Sequence, residues 1–159
     1  MNRSGSFIIG LLGLALFGLN RAVANYSSRW YRSLLKPRWV TFERLIPFIW
    51  AFIYVATTAS AALTWLSPGP RRTKASVLSL LGVNALLNTA YSIIFTRRQD
   101  LPGAVVDAAA IAGTIGAATA AQWASWRPAA LLNLPYLLWS SLAAYITWRI
   151  YQLNRGRLE

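Results

Sequence analysis

The stretch VLSLLGVNALLNTAYSIIF, residues 77–95, decides how the chain is read. Most of it is as apolar as hydrocarbon demands, yet Asn84, Asn88, Tyr91 and Phe95 recur at helical spacing. At about 100° per residue these four fall within about 60° of one another. A carboxamide facing lipid tails has no partner and would cost several kcal/mol. The face must therefore look at protein, water or a ligand. Two asparagines can act simply as glue between helices. An aligned amide, amide, phenol and phenyl ring is more than glue usually needs, so the ligand-facing reading leads.

Outward from this stretch, apolar runs recur at Phe7–Leu19, Leu45–Leu66, Ala104–Ala124 and Ala129–Tyr151. A bilayer core of roughly 30 Å takes about 20 helical residues, a length most of these segments meet. The chain has 159 residues, 56% of them hydrophobic, with only four acidic side chains. A soluble core of this size would not need five such segments. The expected class is an all-α integral membrane protein, a single five-helix domain with spans near 5–25, 45–66, 74–96, 102–124 and 128–152. An aromatic and basic connection, 26–44, joins the first two.

The formal charge of +12 does not point to nucleic acid, because the basic residues sit in the short segments between apolar runs. They read as topology signals and headgroup contacts. With five spans, one side holds Arg21, Arg29, Arg32, Lys36, Arg38, Arg44, Arg97, Arg98, Arg149, Arg155 and Arg157. The other holds Arg3, Arg71, Arg72, Lys74 and Arg127. The positive-inside rule places the N-terminus outside and the C-terminus in the cytoplasm, without saying which membrane is used. A C-terminal reporter active only in the cytoplasm is expected to give signal. Signal from a periplasm-only reporter instead would contradict the five-span assignment.

The chain has neither Cys nor His. Disulfides, zinc–sulfur sites, thiolate nucleophiles, imidazole bases and histidine ligation of haem iron are all excluded. No metal site is expected and no cofactor is obligatory. A bound pigment would be gripped by rings, amides and tyrosines, or by an unusual iron ligand.

Along the chain, Arg3, the run Phe7–Leu19 and Ala22-Val23-Ala24 resemble a secretory signal with its cleavage site, although a retained short span is preferred. Trp50, Tyr54, Thr57 and Ala61 share a face of the second helix and form a candidate pocket wall. Ser67-Pro68-Gly69-Pro70 breaks that helix. Asp100 is an N-cap and Pro102 a first-turn residue of the fourth helix. Ala109, Gly113, Ala117 and Ala121 follow the spacing that lets helix backbones approach closely, within the bundle or between protomers. Asp107 is the one acid inside a predicted span: either functional, or close enough to the helix start to reach water or an interfacial Arg. Beyond Pro135, Tyr136, Trp139, Ser140 and Ala143 share one side of the fifth helix. Leu142, Tyr145 and Arg149 fit the loose sterol-recognition pattern, and Tyr145 and Arg149 lie on a different face from Tyr136.

Several of these motifs resemble the TspO/MBR (translocator protein, or peripheral benzodiazepine receptor) family from Trp30 to Asn154. Trp30-Tyr31 with Leu34-x-Lys36-Pro37-x-Trp39 looks like its first-loop signature. Trp50-x-x-x-Tyr54 keeps the family spacing, and Asn88 with Phe95 and Val106-Asp107 match the third and fourth helices. Pro135-Tyr136-Leu137-x-Trp139, with Leu153-Asn154 downstream, is the most specific piece. The family's paired prolines after the loop tryptophan are replaced by Val40-Thr41-Phe42, and an aromatic by Arg44. Asn84 stands for a Gln and Tyr91 for a Trp.

The resemblance implies a five-helix bundle, commonly a homodimer in membrane lipid. Its cavity beneath the first loop binds tetrapyrroles such as protoporphyrin IX and haem and, in relatives, sterols and benzodiazepine-type drugs. By that match Trp39, Trp50, Tyr54, Asn88, Tyr136, Trp139 and Ala143 become ligand-binding candidates, joined by Asn84, Tyr91 and Phe95. The expected function is a tetrapyrrole transporter, carrier or sensor. The alternatives are an enzyme degrading porphyrin with light or oxygen, and a structural subunit of a membrane complex.

Overall fold

The structure, a computed structural model, describes residues 28–157 together with Gly13, Ala15, Gly18, Ala22 and Tyr26. The choice between a retained first helix and a cleaved signal falls almost wholly outside these residues. Gly13, Ala15, Gly18 and Ala22 are themselves helical. The described residues contain no strand. A short helix, α1 (Arg29–Ser33), is capped by Ser28, whose hydroxyl accepts the Tyr31 N–H at 3.1 Å. Four long helices follow: α2 (Ile46–Leu66), α3 (Arg71–Thr96), α4 (Leu101–Ser125) and α5 (Arg127–Asn154). All four are long and apolar enough to cross a membrane.

The punctuation expected from sequence sets these boundaries. Pro47 sits in the first turn of α2, and Ser67–Pro70 separates α2 from α3. Pro135 is accommodated inside α5, and α3 begins at Arg71, three residues before the expected 74. Between α3 and α4 the chain reverses at Gln99, which has φ 59°. Asp100 then caps α4 by accepting the Gly103 N–H at 2.9 Å. A Cβ at residue 103 would press on that carboxylate, so with any residue but glycine the Asp100 side chain would have to shift.

Burial differs from that of a soluble protein: beside an apolar core that includes Ile53, Val77, Leu101 and Ile115, amides are buried and large apolar side chains are exposed. Phe48, Phe52, Val55, Leu86, Val106 and Leu138 are exposed, whereas Asn84, Asn88, Gln122, Asn133 and Thr147 are buried. Apolar side chains face hydrocarbon and polar ones find partners between helices, the only stable arrangement in a solvent without hydrogen bonds. Of the small-residue stripe on α4, Ala109, Gly113 and Ala117 face outward, so the bundle itself does not use them for close approach.

Helix α4 packs along both α3 and α5, and α2 lies against α5 but only touches α3. The gap between α2 and α3 and the space under the 26–44 segment are where the interior opens.

Candidate ligand-binding site

Two cavities lie in the bundle and share one wall, Trp50. The loop cavity, about 270 Å³, is roofed by Tyr31, Lys36, Pro37 and Val40 and walled by Tyr91, Phe95, Trp139 and Ala143. The deep chamber, about 250 Å³, is lined by Gly13, by α2, by α3 from Leu78 to Asn88, and by Tyr136.

The roof is fixed by contacts that are remote in sequence. The Asn154 Nδ2 donates to the Leu35 carbonyl at 2.9 Å, and its Oδ1 accepts the Leu35 N–H at 3.0 Å. This clamps the segment to the end of α5. Lys36 bridges Glu43 at 2.8 Å, and its ammonium lies 4.0 Å from the Tyr31 ring centroid. Burial, with the Glu43 carboxylate nearby, pushes the Tyr31 phenol up to about 12, so it stays neutral at physiological pH. Trp30 and Tyr31 meet Phe95 edge-on, and Phe95 stacks on Tyr91 at 5.4 Å with planes 8° apart.

Helical spacing brings the expected faces together. Trp50, Tyr54, Thr57 and Ala61 all line the deep chamber, as do Asn84, Asn88 and Tyr136. Asn84 donates through Nδ2 to the Ile111 carbonyl at 2.9 Å and to Thr114 Oγ1 at 2.7 Å, tying α3 to α4. The Tyr136 hydroxyl donates to Asn84 Oδ1 and accepts from Asn88 Nδ2, each at 2.5 Å. These amides therefore hold three helices together while bordering a cavity. Tyr91 pairs with Thr147 at 2.8 Å and belongs to the loop cavity with Phe95, Trp139 and Ala143. The Trp139 indole N–H is buried and has no partner.

Other expected positions lie outside both cavities. Trp39 is 45% exposed and stacks on Tyr145 at 6.1 Å, while Phe42 takes the place against Trp139. The Val40-Thr41-Phe42 turn delivers Phe42 inward and Trp39 outward. Asp107 is only 8% exposed, with one carboxylate oxygen lacking a partner. Among the described residues it has no arginine beside it, and the Lys36–Glu43 bridge is the ion pair present. Leu142 and Tyr145 are exposed, and Arg149 reaches Gln152 at 2.6 Å.

That outer location supports an expectation for Tyr145. Replacing it with Ser should leave protoporphyrin affinity within a few-fold, since its ring lines neither cavity. A loss well beyond that in a fluorescence titration, with melting unchanged, would show the face assignment to be wrong.

Sequence reasoning missed Glu43 and the roles of Asn154, Gln122 and Asn133. Gln122 donates to Ser60 and Thr64, each at 2.8 Å, and accepts from Asn133 at 2.8 Å. This second polar knot joins α2, α4 and α5. The rule applied to Asn84 would have found it, since Gln122 and Asn133 are also lone amides in apolar helices.

Residues 7–153 match the model of the TspO/MBR family. The chain is 36% identical to a protein named Translocator protein from Ovis aries over 131 residues, covering 81% of this chain and 77% of the relative. Identity to the Homo sapiens Translocator protein is 30% over 144 residues, covering 90% of this chain and 85% of the relative. Identity to the Tryptophan-rich protein TspO of Bacillus cereus is 29% over 152 residues, covering 96% and 98% of the two chains. With four membrane-length helices, large apolar side chains exposed on them and a match over nearly its whole length, the chain is a multi-pass membrane protein belonging to the TspO/MBR family.

Proposed function

We propose that this protein binds a tetrapyrrole of the protoporphyrin type in the loop cavity and acts as its carrier, transporter or sensor. The observation that carries the reading is the Trp139 indole N–H, buried on a ring-lined wall without a protein partner. Burying an unpaired donor is costly, and a ligand acceptor placed there removes the cost. Trp50, Tyr91, Phe95 and Trp139 offer the ring faces and edges against which a flat apolar macrocycle packs. Lys36 supplies a cation at the roof, which a carboxylate side arm would have to share with or take from Glu43 on the same lining. At about 270 Å³ the cavity lies just under the usual range for ligand pockets, roughly 300–1,000 Å³. A whole macrocycle enters only with an edge protruding or with the roof displaced.

The test compares protoporphyrin with its dimethyl ester. Lys36→Ala should weaken the dicarboxylate several-fold, as expected for a partly exposed ion pair, and leave the ester unchanged. Equal effects on both would remove Lys36 from the site. A stable shifted spectrum in the light supports binding, whereas bleaching to a new species would favour the degrading enzyme.

A further inference from the structure

The deep chamber lies where α2 and α3 stand apart, and a tetrapyrrole in the loop cavity makes no use of it. Its walls are Ile53, Thr57, Ala61, Leu81 and Ala85, with Trp50 between it and the loop cavity. Trp50 stands edge-on to Tyr136 at 5.9 Å and to Trp139 at 6.4 Å, so one ring backs onto both spaces. No charged side chain is among the described lining residues. The amides at its border point their donors at Tyr136, at one another and at α4. One polar atom on the wall is different: Thr57 Oγ1 is buried and has no hydrogen-bond partner.

We propose that this chamber is a second binding site, for a small neutral apolar molecule bearing a single hydroxyl, such as a medium-chain or terpenoid alcohol. An engineered apolar cavity of about 150 Å³ holds benzene, so about 250 Å³ corresponds to roughly ten heavy atoms. A whole tetrapyrrole or sterol skeleton would overfill this space, as it does the loop cavity, but among the described lining residues here there is no loop roof to displace. An ionised ligand would find no counter-charge among the described lining residues and would be costly to desolvate. A hydroxyl both donates and accepts, as does that of Thr57, so each satisfies the other inside an apolar wall. Among the described residues the chamber and the loop cavity share only Trp50, so a ligand can occupy each at once.

The test uses the full chain in phosphatidylcholine nanodiscs and a diazirine-bearing octanol as photoreactive probe. Labelling of residues 53–61 and 78–85 should saturate, be displaced by 1-octanol, and persist in the presence of protoporphyrin. Nonane, of equal length without the hydroxyl, should compete about five- to tenfold less well. Ala85→Leu should abolish the labelling by filling the space. Thr57→Val, which keeps the side chain's shape, should remove the preference for octanol over nonane. Labelling that rises linearly with probe would mean bulk lipid and overturn the site. An alcohol preference that survives Thr57→Val would overturn the role of its hydroxyl.

Discussion

Ala143→Phe is expected to weaken protoporphyrin binding by at least about a hundredfold while leaving the fold intact. Ala143 lines the loop cavity from α5, on the same wall as Trp139. A benzene-sized ring occupies a cavity of about 150 Å³, more than half of the 270 Å³ present. Excluding the ligand from the ring-lined walls removes stacking worth roughly 0.5–1.5 kcal/mol for each ring pair, beyond the burial of its apolar surface. Losing two such contacts and their area amounts to roughly 3 kcal/mol, or about two decades in dissociation constant. Melting in detergent should hold or rise, because the new ring fills space that is already there. Loss of binding together with a fall in melting would trace the effect to misfolding.

Gln122→Leu is expected to give the largest loss of stability among single substitutions in the bundle interior. Gln122 is fully buried and makes hydrogen bonds to Ser60, Thr64 and Asn133. Hydrogen bonds between membrane helices average about 0.6 kcal/mol each. Most of the cost falls on Asn133, whose Oδ1 already lacks a partner. Removing Gln122 takes the partner of its Nδ2 as well, leaving a whole carboxamide unsatisfied at about 1–3 kcal/mol. With the two bonds to Ser60 and Thr64 added, the loss is roughly 2–4 kcal/mol. Leu has nearly the volume of Gln, so no cavity contributes. The double variant Gln122→Leu/Asn133→Leu should recover much of the loss, because replacing both partners removes the orphan. A single variant as stable as the parent would show that the knot is not holding the helices.

Helical faces were legible in the sequence because the 3.6-residue period ties spacing to direction. Trp50, Tyr54, Thr57 and Ala61 meet in one chamber as that period requires, and Tyr91 and Phe95 stack one turn apart. The breaks at Ser67–Pro70 and the cap at Asp100 follow from proline and carboxylate chemistry in the same way. The roof was not legible. No period relates ring directions in an irregular segment, and here they depend on Asn154 holding Leu35 from 119 residues away. Trp39 accordingly turns out to pack on Tyr145 outside the bundle, with Phe42 against Trp139. The choice between glue and ligand face at Asn84 was also beyond sequence. A pattern gives the face an amide occupies, and only the structure shows its bonds to Thr114 and Tyr136 beside an open chamber.

Binding in the loop cavity is tested most directly by a tryptophan-fluorescence titration with protoporphyrin on the parent chain, Trp139→Ala and Ala143→Phe, paired with melting curves. Saturable binding to the parent is expected, with about tenfold or greater weakening in Trp139→Ala, a larger loss in Ala143→Phe, and no fall in melting for Ala143→Phe. Affinity equal to that of the parent in both variants would contradict a site between these walls.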